Sequence, residues 1–318
     1  MARALEGLRR YQEAERTAPP EPPPALAGRL GATLRDYGGG GVPVLFVPSL
    51  INPPSILDLS EEKSLLRWLA ARGRVRPLLV DWGADVAARR ELGVAGHVEA
   101  LLVPFVEAAG EAVGEVPALV GYCLGGTMAL GAAARVPTRG VATLASPWRF
   151  SAFPEESREG LESLWAGARA TAQRLGMLPM EVLQSAFWAL DPARTIGKFE
   201  AFAAMGEAKA RDFVTLEDWA NDGPPLPAAA AKELFETLFR DDSTGSGRWL
   251  AADPARLACP FLEVVSTVDR IVPAASAAGA GERIELALGH VGMVVGSRAR
   301  QSLWEPLEAW LSRLWKSG

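Results

Sequence analysis

A chain of 318 residues has room for one large α/β domain carrying an insertion, or at most two ordinary domains. Its 49% hydrophobic and 22% charged residues are the balance of a folded globular protein and exclude an intrinsically disordered chain. A net charge of -5, with no run of lysine or arginine, excludes the electrostatic footprint of a nucleic-acid binder, so no nucleic-acid partner is expected.

Apolar residues fall at helical spacing over residues 4–16, and that helix must stop before the proline tract at 19–24, which cannot continue it. A docked helical arm and proline-rich linker are therefore expected over residues 1–30. The opening stretch alternates charged with apolar residues and lacks the apolar centre of a signal peptide. No apolar run later in the chain approaches the roughly 20 residues that span a bilayer. A cytoplasmic protein with no membrane span is expected.

The first clear buried strand is 42–47. Residues 60–72 (SEEKSLLRWLAAR) carry a capping serine at Ser60, acids in the first turn and arginine in the last, which predicts a helix from its caps and its dipole. A strand at 75–80, a helix at 94–113, a strand at 118–122, a helix at 125–135 and a strand at 141–145 follow. This alternation predicts an α/β fold, a mostly parallel sheet with helices on both faces. It stops over 150–250, where helical periodicity and prolines replace strand-like runs, so an inserted helical cap is expected there. Trp165, Trp188, Trp219 and Trp249 lie in this insertion, and core packing is the role expected of each. Strands at 261–266 and 284–288 and a terminal helix at 297–316 complete the pattern. The core is thus read as 31–149 and 251–318, divided by the cap.

The chain has two cysteines and two histidines. Cys123 and Cys259 lie too far apart to read as a disulfide framework, and neither His97 nor His290 forms a short-spaced cluster with them, so no metal and no retained cofactor is expected. Gly121-Tyr122-Cys123-Leu124-Gly125-Gly126 stands between a predicted strand and a predicted helix. It has the glycine-x-nucleophile-x-glycine form of a nucleophile elbow, with cysteine as the nucleophile. Glycines are required because side chains two positions either side of the turn would collide with the adjoining strand and helix. Placing Cys123 at a helix N-terminus also favours its thiolate.

Asp269 follows the predicted strand 261–266, and His290 follows the strand 284–288, so both reach the carboxyl edge of the sheet in the order nucleophile, acid, histidine. Asp269 can orient the imidazole, and His290 can act as the general base for Cys123. The backbone N–H of Leu124 is one expected oxyanion donor. The other is expected from the loop after 42–47, with Ile51 favoured over Leu50 and Asn52. His97 and Cys259 read as structural residues, and Asp81, Trp82 and Asp85 as turn and capping residues.

At these residues the chain resembles the polyhydroxyalkanoate synthases, α/β-hydrolase-fold enzymes that polymerise hydroxyacyl-CoA. GYCLGGT at 121–127 looks like the family's cysteine-bearing box, VPSLINPPSILDL at 47–59 like its oxyanion-loop segment, and the segments 269–273 and 289–292 like its acid and histidine motifs. The resemblance implies that Cys123 carries the acyl group or growing polyester as a thioester, that His290, supported by Asp269, deprotonates the incoming hydroxyl or the thiol, and that coenzyme A is the leaving group. It further implies a polyester-granule location and, from a length near that of the catalytic subunit of the two-subunit class, a second synthase subunit or a homodimer. Arg270 stands where many members carry histidine, and Pro53-Pro54 where an aromatic residue is common. Two rivals are a cysteine-dependent hydrolase, either a thioesterase or a polyester depolymerase, and a non-catalytic granule-associated binding protein.

Overall fold

A computed structural model describes residues 2–190 and 192–316. Its centre is an eight-stranded sheet in the order β1 (Ala25–Arg29), β2 (Ala32–Asp36), β4 (Val75–Asp81), β3 (Val42–Val47), β5 (Ala118–Tyr122), β6 (Val141–Leu144), β9 (Phe261–Ser266), β10 (Glu282–Leu286). β1 and β2 pair antiparallel, as do β2 and β4, and the remaining pairs are parallel. Such a sheet is buried on both faces, so its strands read as continuous apolar runs, and every residue of β3 (VPVLFV) is buried.

Successive side chains alternate between the two faces. Leu45, Val47, Leu78 and Leu119 join one core cluster, and Val44, Phe46, Leu79 and Val120 join the other. The first face is covered by the helical run from α3 (Val94–His97) to α4 (Val103–Val113) and by α5 (Leu124–Ala133). The second is covered by α2 (Leu65–Arg72) and the terminal helix α11 (Glu305–Lys316). Each fully buried Leu, Val or Phe contributes roughly 1.5–3 kcal/mol, so these two layers dominate the stability. This is the α/β-hydrolase fold.

Three local features depart from the sequence reading. β1 and β2 form an unpredicted hairpin within residues 25–36. Its two-residue turn is Leu30-Gly31, both at positive φ, and leucine at the first turn position hides the signal that asparagine or aspartate would provide. Helix α2 starts at Leu65 and is capped by Ser64, whose hydroxyl accepts the Arg67 N–H, whereas Ser60 closes the preceding turn on Lys63 N–H. Between α3 and α4 the helix widens to a π turn at Val98–Leu102, immediately before Pro104. Proline has no N–H for the carbonyl four residues back, and Arg29 Nε fills that place by donating to Ala100 O at 2.7 Å.

The insertion runs between β6 and β9. It contains α6 (Glu155–Leu175), α7 (Met180–Leu190), α8 (Pro192–Phe202), α9 (Glu207–Asn221) and α10 (Ala228–Lys232), with a two-residue strand pair, β7 (Met177–Leu178) and β8 (Leu226–Pro227). The arm helix α1 (Ala2–Glu13) docks on α8. A Cβ at Gly7 would lie 1.9 Å from Phe199 O, and Arg10 donates to the Phe202 and Met205 carbonyls at 2.7 and 2.8 Å, satisfying the C-terminal end of α8. No helix among the described residues is long and apolar enough to cross a membrane.

Candidate active site

β5 turns into α5 at Cys123, which adopts φ 56° and ψ -131°. Positive φ costs a residue with a Cβ about 1–3 kcal/mol and persists only where the surroundings impose it. Here the Cys123 N–H donates to Leu144 O at 3.0 Å and its carbonyl accepts the Gly126 N–H at 2.9 Å. The turn is also sterically closed: a Cβ at Gly121 would sit 2.3 Å from Gly126 Cα, and one at Gly125 would sit 2.0 Å from Val47 O. The chain reversal therefore tolerates no side chain at either position, and Cys123 is left half-buried at the head of α5.

Asp269 lies in the turn after β9. One carboxylate oxygen accepts the N–H groups of Ile271 and Val272 at 2.8 and 3.1 Å, and the other accepts His290 Nδ1 at 2.6 Å. Because Nδ1 is engaged there, Nε2 is the ring nitrogen that Asp269 leaves uncommitted, and His290 and Cys123 line the same cavity. Burial pushes the His290 pKa down, but Cys123 and the Asp269 carboxylate outweigh it and push it up to about 10. Tyr122 completes the support. Its ring stacks on the imidazole at 4.9 Å and its hydroxyl donates to His290 O at 3.2 Å. Sequence reading passed over Tyr122 because an aromatic residue at a strand end ordinarily signals core packing.

Cys123, Tyr122 and His290 open into a cavity of about 310 Å³ between the sheet edge and the inserted helices. Pro48, Ser49, Ile51, Asn52 and Pro53 wall it on the core side, and Trp188, Lys198, Glu217 and Trp219 on the other. Trp188 lines the cavity and is exposed, not packed in the core as expected, whereas Trp219 lines it while buried in the core with its indole N–H on Pro53 O. Trp165 and Trp249 pack in the core, with their indole N–H groups on Glu236 and Glu233. Lys198 and Glu217 form an ion pair of 2.6 Å in the cavity wall, contributed by α8 and α9. The expected oxyanion donors differ in state. Leu124 opens α5, whose first N–H groups have no partner within the helix. The Ile51 N–H donates to Ser49 Oγ at 3.2 Å and is already engaged.

The remaining residues singled out from the sequence lie elsewhere. Asp81 and Asp85 accept turn N–H groups from Gly83 and Ala87, and the Trp82 indole donates to Pro48 O at 3.1 Å. His97 is fully buried, with Nδ1 on Gly93 O at 2.7 Å, and burial pushes its pKa down to about 4. Cys259 is half-buried in the connection before β9, where burial raises its thiol, beside Thr138 Oγ1 at 3.4 Å. Cys259→Ala should cost at most a few kcal/mol of stability, measured by chemical denaturation. Among the described residues no group of three or more His, Cys, Asp or Glu could hold a metal ion.

No family model matches the chain. The poly(3-hydroxyalkanoate) polymerase subunit PhaC of Haloferax mediterranei is 26% identical over 297 residues, covering 87% of this chain and 60% of that protein. This chain therefore spans less than two thirds of that relative's length. The polymerase subunit PhaC of Allochromatium vinosum is also 26% identical, over 85% of this chain and 81% of that protein. Among solved structures, a thermophilic esterase from Thermogutta terrifontis matches with a TM-score of 0.54 at 18% identity, covering 89% of this chain and 94% of that one. The chain is thus an α/β-hydrolase-fold protein distantly related to PhaC polymerases, and its likeness to the esterase is one of fold.

Proposed function

We propose that the protein is a cysteine-dependent acyl-transfer enzyme that takes an acyl group from a thioester or ester onto Cys123 and passes it to a hydroxyl. The observation that carries this reading is the pairing of His290 Nδ1 with buried Asp269 at 2.6 Å, which leaves the other imidazole nitrogen for a cysteine at the elbow. The Cys123 sulfur attacks the acyl carbonyl while His290 holds the proton. The tetrahedral oxyanion collapses, the leaving thiolate takes that proton, and an acyl thioester remains on Cys123. His290 then removes the proton of the acceptor hydroxyl as its oxygen attacks the thioester, and the proton returns to the departing Cys123 sulfur.

The named activity of the sequence relatives favours a hydroxyacyl-CoA donor and, as acceptor, the hydroxyl end of a growing polyester. Coenzyme A is then the leaving group. A second subunit or a second copy of this chain, and a location at polyester granules, belong to the same reading. Water as the acceptor, which makes the protein a thioesterase or depolymerase, is favoured by the polar side chains in the cavity wall and by its exposed rim. Asn52, Gln184, Lys198, Glu217 and Asn221 line it, and Trp188 at its wall is 51% exposed.

Incubation with 3-hydroxybutyryl-CoA separates the two acceptors. Acyl transfer to hydroxyl yields polymer or oligomer with release of coenzyme A, whereas hydrolysis yields free 3-hydroxybutyrate alone. The shared cysteine step is tested by intact mass after exposure to a saturated acyl-CoA, where one acyl group on Cys123 is expected. No acyl adduct with any of a panel of acyl thioesters would overturn the cysteine mechanism.

A further inference from the structure

The second oxyanion donor is open, because the Ile51 N–H favoured from the sequence is engaged by Ser49. Ser49 itself stands close to the nucleophile. β3 and β5 pair in parallel with Val47 opposite Gly121, and paired strands lie about 4.8 Å apart. Two residues further along each chain come Ser49 and Cys123, and both line the same cavity. The approach is enforced at the loop's root: a Cβ on Gly125, in the first turn of α5, would lie 2.0 Å from Val47 O and 2.7 Å from Pro48 O. The buried bond from the Trp82 indole to Pro48 O anchors the loop from its other side.

A serine hydroxyl has one proton and two lone pairs. At Ser49 one lone pair accepts the Ile51 N–H, and among the described residues that is the bond this hydroxyl makes. Its proton is therefore available to the cavity, and the N–H behind it polarises the O–H bond toward donation. Ser49 is nearly buried, at 7% exposed, so a hydrogen bond from it to a developing charge is weakly screened.

We infer that the Ser49 hydroxyl, backed by the Ile51 N–H, is the second oxyanion donor, opposite the Leu124 N–H. The inference rests on the acyl-cysteine reading above and deepens it. It makes Ser49 a catalytic residue that touches the substrate oxygen, and makes Ile51 and Trp82 positioning residues. The two candidate donors predict opposite signs for one substitution. In Ser49→Ala the Ile51 N–H is released while the hydroxyl is lost.

Single-turnover acylation of Cys123 by a saturated acyl-CoA, followed by intact mass, reads the difference. If Ser49 is the donor, Ser49→Ala acylates about 10²–10³-fold more slowly than the parent, with KM changed less than about threefold. Affinity for a trifluoromethyl ketone that forms a tetrahedral adduct on Cys123 falls in parallel, whereas thermal stability does not. Ser49→Thr, which keeps the hydroxyl, retains the rate within about tenfold. Acylation of Ser49→Ala as fast as the parent or faster overturns the assignment in favour of the Ile51 N–H, and so does a folded Ser49→Thr as slow as Ser49→Ala. Failure of the parent itself to acylate Cys123 would instead remove the acyl-cysteine reading, and this assignment with it.

Discussion

Cys123→Ala is expected to abolish acyl transfer and leave the fold intact. The elbow requires small residues at 121 and 125 and hydrogen bonds from the backbone at 123, and alanine disturbs neither. It removes only the sulfur. Loss of the acyl adduct in intact mass, with an unchanged circular-dichroism spectrum, is the expected pair of results; retention of most activity would refute the nucleophile. Cys123→Ser is the sharper variant, since it keeps a hydrogen-bonding side chain but replaces a readily ionised thiol with a hydroxyl that stays protonated. Transfer from acyl-CoA should drop at least about a hundredfold, roughly 2.7 kcal/mol of barrier. Rates equal to the parent's, with free acid as product, would sink the polymerising reading and leave hydrolysis.

Asp269→Asn should lower turnover by about 10⁴ without unfolding the protein, as loss of the carboxylate does where it holds a histidine in one tautomer. Asparagine can still accept the Ile271 and Val272 N–H groups through its carbonyl, so the turn should survive. Its amide nitrogen, placed toward His290, would favour the imidazole with its proton on Nε2, which cannot serve as base to Cys123. The same substitution changes the pH dependence of stability. His290 is raised in the folded state from 6.5 to about 10, so its contribution is fully present below about pH 6.5 and is lost as pH rises through about 10. The parent's melting temperature should therefore fall across that window more than that of Asp269→Asn or Cys123→Ala, each of which removes one of the groups that raise the His290 pKa. Equal slopes in all three would show that the Cys123–His290–Asp269 arrangement does not hold that proton.

The elbow was legible in the chain because its causes are local. Cys123 and the glycines at 121 and 125 lie within five residues, and the clash that forbids a side chain at 121 arises within the turn itself, whereas the one at 125 comes from Val47 and Pro48 at the end of β3. The alternation of strands and helices was legible for a similar reason, since burial on both faces requires continuous apolar runs such as 42–47. Asp269 and His290 could be placed at strand ends, although their contact spans 21 positions and needs the sheet to close it.

Less local features escaped. The hairpin of β1 and β2 turns through Leu30-Gly31, a pair that carries no strong turn signature, and its strands are short and partly exposed. The Lys198–Glu217 pair in the cavity wall joins two helices and has no marker in either. The sequence points to the loop at 48–54 for an oxyanion donor, but which of its groups is free depends on Ser49 accepting the Ile51 N–H and on Trp82, 34 positions away, holding Pro48 O. By itself the sequence determined where the chain must turn sharply and which side chain it presents there, because backbone sterics act between near neighbours. Tertiary structure alone decided which donors face that side chain, because a hydrogen bond taken by one partner is withdrawn from another, and the competitors meet only when the chain has folded.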